Sequence, residues 1–260
     1  MRLALLSSLV AAGCATVGNY QLANTLGKGR GQFAIEPSYY DRSLGIGEEV
    51  ILPAEEGDKA VAVSGEDLNR ELYLDAGVPY LTAAFRYGVT DQVDVGLRWG
   101  ANALDAMAKV QLTPPEKKDL VVSVAPSLGG LVVPTGQGGS ARLFVAQSSL
   151  LVGMGVGKAY QHQIVFGPKV QGWWASGGAE DLAISASYLS VGGHLGVGVR
   201  LTPNIHLMPE AAFSMPLSWT VRAVADGDAY RLQEQVSGRA HVVQLGLAVL
   251  LGGAGRDPKP

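Results

Sequence analysis

A chain of 260 residues with 17% charged residues and a net charge of −3 lacks the basic patch that nucleic acid requires. Its one cysteine, Cys14, excludes an internal disulfide, and no run of eighteen apolar residues offers a spanning helix. The length suits one large β domain or two small ones, to be built from 47% hydrophobic residues and 35 glycines.

The N-terminus has the layout of a signal peptide over residues 1–13. Met1-Arg2 is a positive start, Leu3 to Val10 an apolar run, and Ala11-Ala12-Gly13 a set of small residues before Cys14. Ala11-Ala12-Gly13-Cys14 resembles a bacterial lipoprotein signal. That resemblance implies cleavage before Cys14, acylation of its thiol, and sorting to the outer membrane, because Ala15 replaces the Asp that retains such proteins at the inner membrane. Ordinary cleavage near Ala15, with Cys14 incidental, is the alternative. Residues 14–30 are polar and Gly-rich and read as a linker leading from the lipidated cysteine.

Alternation of period two then dominates the chain, and that is the strand period. Gln32 to Tyr40 places Phe33, Ile35, Pro37 and Tyr39 on one face. Residues 41–77 form an acidic insertion with ten Asp/Glu against three Lys/Arg. Within it, Val50–Leu52 and Ala60–Val63 suit a small hairpin, and Ser64 through Asp75 a short helix capped by Ser64. Leu81 to Trp99 is the clearest hairpin. Leu81, Ala83, Phe85, Tyr87 and Val89 share one face with Val93, Val95, Leu97 and Trp99, around the turn Thr90-Asp91-Gln92. Further strands are expected at Asp105–Leu112, Leu120–Val133, Arg142–Val156, His162–Trp174, Ile184–Leu201, Ile205–Met215 and His241–Leu251. Long loops are expected at 134–140, 175–183 and 216–240. Ten strands joined by alternating short turns and longer loops describe an all-β, antiparallel up-and-down transmembrane barrel over residues 31–251 with a tail at 252–260. Eight or twelve strands are the neighbouring possibilities.

The second face of each strand decides the environment. A soluble barrel would show Lys, Glu, Thr and Gln to water. Here that face is mostly Gly, Ala and Ser, as at Gly96, Ser123, Gly153, Gly198 and Ala212, which suits a narrow interior. Charges of both signs share it, and Glu36, Arg86, Asp94, Arg98, Lys109, Lys169, Arg200 and Glu210 are expected to pair across a lumen. Tyr39, Tyr80, Trp99, Trp174, Tyr188 and Trp219 fall near strand ends as an aromatic girdle. Pro37, Pro126, Pro168 and Pro209 lie on the apolar face of outgoing strands, where a repeated bulge or a local twist would accommodate them.

Tyr87-Gly88-Val89-Thr90-Asp91-Gln92-Val93-Asp94-Val95-Gly96 resembles a hairpin of bacterial outer-membrane β-barrel proteins. Gln244-Leu245-Gly246-Leu247-Ala248-Val249-Leu250-Leu251 is similar to the last-strand signal read by the barrel assembly machinery. The resemblance implies outer-membrane lipid as surroundings and that machinery as a partner, with loops 41–77 and 216–240 offered to an extracellular partner. A structural or surface-interaction barrel with a lumen filled by side chains is the leading reading. A narrow passive channel, a membrane hydrolase and a soluble periplasmic barrel holding an apolar ligand are the alternatives. His194, His206 and His241 share the polar face, and His206 should lie opposite Arg200, but no nucleophile and orienter accompany them as a triad requires. No enzyme activity, no metal site and no cofactor is expected, since neither a ligand cluster nor a phosphate loop is present in the spacing.

Overall fold

The computed structural model describes residues 19–43, 49–50, 63–64, 78–100, 103–135, 139–179, 182–225, 228–235 and 241–253. The signal peptide, Cys14, the Ser64–Asp75 helix beyond its first residue and the tail from 254 lie outside the described residues.

Ten strands make the wall: β1 (Gly31–Ser43), β2 (Val78–Gly88), β3 (Val93–Gly100), β4 (Ala103–Gln111), β5 (Leu120–Thr135), β6 (Gly139–Val156), β7 (His162–Ala179), β8 (Leu182–Thr202), β9 (Ile205–Ala225) and β10 (His241–Gly252). Each pairs antiparallel with its neighbour in sequence, and β1 pairs with β10, so the sheet closes with no free edge. The predicted ten-stranded up-and-down barrel is the fold. Alternation builds it: Phe33, Ile35, Leu81, Phe85, Leu97, Trp99, Leu128, Leu195, Leu201, Phe213, Leu245 and Leu247 are exposed outward, while Ala34, Ala84, Ser123, Met208 and Ala248 are buried inward. Such an outer wall is stable against lipid and costly against water.

Several expected loops are strand. β6 and β7 reach Gly139 and Ala179, β8 begins at Leu182, and β9 continues to Ala225, where Asp228–Gln235 folds back onto it. The 216–240 loop is therefore largely a hairpin extension. In the acidic insertion, Glu49–Val50 pairs with Val63–Ser64, at the predicted small hairpin. β8 and β9 have 21 residues each, and β5 to β7 have 16 to 18, so the wall is tall from β5 to β9. β3 and β4, with 8 and 9 residues, end low.

The expected bulges at the four prolines are not found. Beside Pro37, Ile35 pairs with Val249 and Ser38 with Gly246, so register is kept across a gap in the pairing. The same kind of gap flanks Pro126 on the β4 side, Pro168 on the β6 side and Pro209 on the β8 side. A missing N–H interrupts one ladder locally, and the other neighbour holds the register. The proline beside a register shift is Pro216, which faces Ser190 where β9 carries one extra residue.

Candidate functional site: a lumen closed by the chain's own N-terminal segment

The interior is not filled by wall side chains alone. Asn19 to Gly27, in the stretch expected to be linker, runs through the lumen, with Tyr20 and Ala23 fully buried and Leu22 and Leu26 nearly so. The chain enters at the short-turn end, where Gly29 N–H donates to the Gly88 carbonyl (2.8 Å) and Gly88 N–H to the Arg30 carbonyl (2.9 Å). It rises from there to mid-barrel.

The segment makes no regular structure, so its buried backbone groups need side-chain partners. The wall provides them. Glu210 accepts the N–H of Asn19 (2.5 Å) and of Tyr20 (2.9 Å). Gln163 accepts from Ala23 N–H (2.7 Å), Gln111 from Thr25 N–H (3.0 Å) and Asp94 from Leu26 N–H (3.0 Å). Lys109 Nζ donates to the carbonyls of Leu22 (3.2 Å) and Asn24 (2.8 Å), and Ser123 Oγ to that of Ala23 (2.5 Å). Gln244 donates to the Tyr20 hydroxyl (3.0 Å), and Ser149 to the Asn19 side-chain carbonyl (3.0 Å).

Inward glycines make the room. A Cβ at Gly246 would collide with the Tyr20 hydroxyl, one at Gly198 with Leu22, one at Gly88 with the Gly27 carbonyl, and one at Gly153 with Ala23 at 2.6 Å. Small inward residues fit a crowded interior, as expected. What crowds it is main chain.

Six of the eight charges take up two tasks, pairing across the lumen and holding the segment. Glu36 pairs with Arg86 at 3.1 Å, and Asp94 with Lys109 at 2.9 Å, all four inward and at most 3% exposed. Arg98 pairs with Asp105 at 2.8 Å. Asp105 was missed, although it is the cross-strand neighbour of Arg98. Glu210, Asp94 and Lys109 also hold the segment. Lys169 is buried at mid-lumen. Arg200 is half-buried at the short-turn mouth, not in the central network, and pairs in register with His206 as the turn predicted. Both line a cavity of about 90 Å³ beneath the segment, with Lys117 and Lys118.

Of the girdle residues, Tyr39, Trp99 and Trp174 are exposed on the outer face, Trp99 at 70%. Tyr188 departs from expectation: its register partner is Trp173, and the two rings stack at 5.5 Å on the inner face. The side chains of Tyr80, Trp219 and His241 lie outside the described residues. His194 Nδ1 lies 3.1 Å from the Asn19 amide nitrogen, and Ser149 bonds Asn19 rather than the imidazole. Among the described residues no group of three His, Cys, Asp or Glu is placed to hold a metal.

No family model and no curated relative matches this sequence. Solved structures of similar shape include the outer membrane protease OmpT from Escherichia coli, with 10% identity over 86% of this chain and 95% of that one, at a TM-score of 0.46. The outer membrane protein OprG from Pseudomonas aeruginosa shares 12% identity over 88% and 99%, at 0.41. Neisserial surface protein A shares 8% over 84% and 96%, at 0.32. At these values no family is assigned.

Proposed function

We propose that this chain is a bacterial outer-membrane barrel with a structural or surface-interaction role, closed to diffusion by its segment 19–27. Support for the membrane setting comes from the outer wall, where Arg142 at the upper edge is the one charge among the described strand side chains. Support for closure comes from one observation: wall side chains bond five N–H groups and three carbonyls of the segment between Asn19 and Leu26. A pore used for passive transport gains nothing from a seat of eight such bonds, and the channel reading requires the segment to leave. The tall wall from β5 to β9, with loops 41–77 and 216–240, is the surface offered to an extracellular partner. The barrel assembly machinery inserts the fold through the last strand, Gln244 to Leu251.

Planar-bilayer recording tests the reading. The full chain should give no resolved single-channel steps, and a variant lacking residues 19–27 should give them. Steps of equal size from both would overturn it. Heat-dependent gel migration and flotation with vesicles report separately that both chains are folded and embedded.

A further inference from the structure

The outer wall changes character at one level. On β6 the outward positions from Val156 to Phe144 carry no charge, nor do those on β7 from Ile164 to Trp174 or on β8 from Leu201 to Ser187. Twelve residues at about 2.5 Å of height each, for a strand tilted by about 40°, span about 30 Å, the thickness of a hydrocarbon layer. The next outward row is Arg142, Ser176 and Ser185, neighbours across three strands. Beneath it stand Phe144, Trp174 and Ser187, also in register, with the two rings 5.6 Å apart. These six residues line a groove of about 460 Å³.

Arg142 is singular. Among the described side chains of the ten strands it is the charged one that faces outward, and among the described residues it has no ion pair. A guanidinium at the edge of hydrocarbon has lost part of its water and is stabilised by an anion that it can bond in pairs. We propose that this groove binds the phosphate of an acidic lipid in the outer leaflet. Arg142 grips two phosphate oxygens, Ser176 and Ser185 donate hydroxyls, and the first acyl carbons lie on Phe144 and Trp174. The aromatic floor is what selects a lipid, because a soluble phosphate would leave it bare to water. The inference rests on the membrane setting proposed above.

The test is native mass spectrometry of the full chain, folded in detergent and titrated with diphosphoryl lipid A. Wild type should retain one equivalent, and Arg142→Ala should bind about tenfold more weakly or worse, as expected for loss of a charge-assisted contact. Arg142→Lys should fall between them, because a point charge cannot form the paired contact. Equal retention by wild type and Arg142→Ala, or none by wild type, overturns the proposal. Competition by millimolar inorganic phosphate overturns the assignment to lipid. Should Arg142→Ala not fold by gel migration, Ser176→Ala/Ser185→Ala must show weakened retention. Flotation with phosphatidylcholine vesicles tests the membrane setting independently, since it needs no bound phosphate.

Discussion

Replacing Glu210 by Gln removes one charge from the lumen and leaves the side-chain volume unchanged. In the wild-type chain the carboxylate, 4% exposed, accepts two backbone N–H groups at 2.5 and 2.9 Å. A Gln carbonyl can keep one of these, weakened, and its amide then points N–H against N–H at the other. Bonds to a charged acceptor contribute about 1.5–3 kcal/mol each, and neutral ones about half that. Seating also strips water from the carboxylate, a cost that the neutral amide largely avoids. The net loss of seating free energy is about 2 kcal/mol, a shift of about thirtyfold in the fraction of unseated segment. Hydrogen exchange of peptides covering residues 19–27, in detergent-folded protein, reads that fraction directly. Protection there should fall about thirtyfold in Glu210→Gln, while β6 to β9 exchange as before. Gly246→Val should act in the same place by displacing the Tyr20 hydroxyl, with no change of charge. Equal protection of residues 19–27 in wild type and both variants would refute the seat as drawn.

Two further outcomes follow from the wall. Lys109→Met removes the ion-pair partner of buried Asp94 and strands the Leu22 and Asn24 carbonyls, at about 3–5 kcal/mol. The temperature at which the gel band converts from compact to unfolded should drop, and Asp94→Asn added to it should recover most of the loss; an unchanged single variant contradicts the pairing. Leu195→Arg places a charge near the middle of the apolar band and should cost about 2–4 kcal/mol in folding into vesicles, against about 0–1 for Val132→Arg near the upper boundary. Similar costs at both positions would mean that the wall does not face lipid.

The barrel was legible because an apolar outer wall and a narrow lumen leave each strand only one pattern. Phe33-Ala34-Ile35-Glu36 and Val93-Asp94-Val95-Gly96 state it residue by residue, and the closed sheet follows the same alternation. The lumen ion pairs were half legible. Opposite charges on one face imply pairing, but which partners meet depends on register, and Asp105 was overlooked for that reason. Tyr188 was misplaced because a ring near a strand end was weighed above the alternation, which already sets it on the inward face of β8 with Ser190, Gly192 and His194. The segment in the lumen was not seen at all. It has no period, since it is neither strand nor helix, and its partners lie 66 to 224 positions away. One signal was present. A solvated linker has no use for Tyr20, Leu22 and Leu26, and the inward glycines at 88, 153, 198 and 246 leave a hollow larger than a packed lumen needs.

The seated segment also constrains the acylation that Cys14 suggests. Asn19 bonds Ser149 and lies against His194, residues seven and eight positions above the short-turn ends of their strands, Val156 and Thr202. That places it about 18–20 Å above the lower mouth of the lumen. The five residues from Cys14 to Asn19 reach at most about 17 Å when fully extended, and an acyl chain must also pass around the wall to enter lipid. A Cys14 anchored in the inner leaflet is therefore incompatible with Asn19 on Glu210. The acylated chain has to give up at least the upper part of its seat, and the seated chain has to be unanchored at that cysteine. Cells grown on an alkyne-tagged fatty acid would separate the two forms by affinity capture. Hydrogen exchange should then show Asn19 and Tyr20 protected in the untagged fraction and exposed in the tagged one. Full protection of both in the tagged fraction would break the reach argument, and with it the height assigned to the segment.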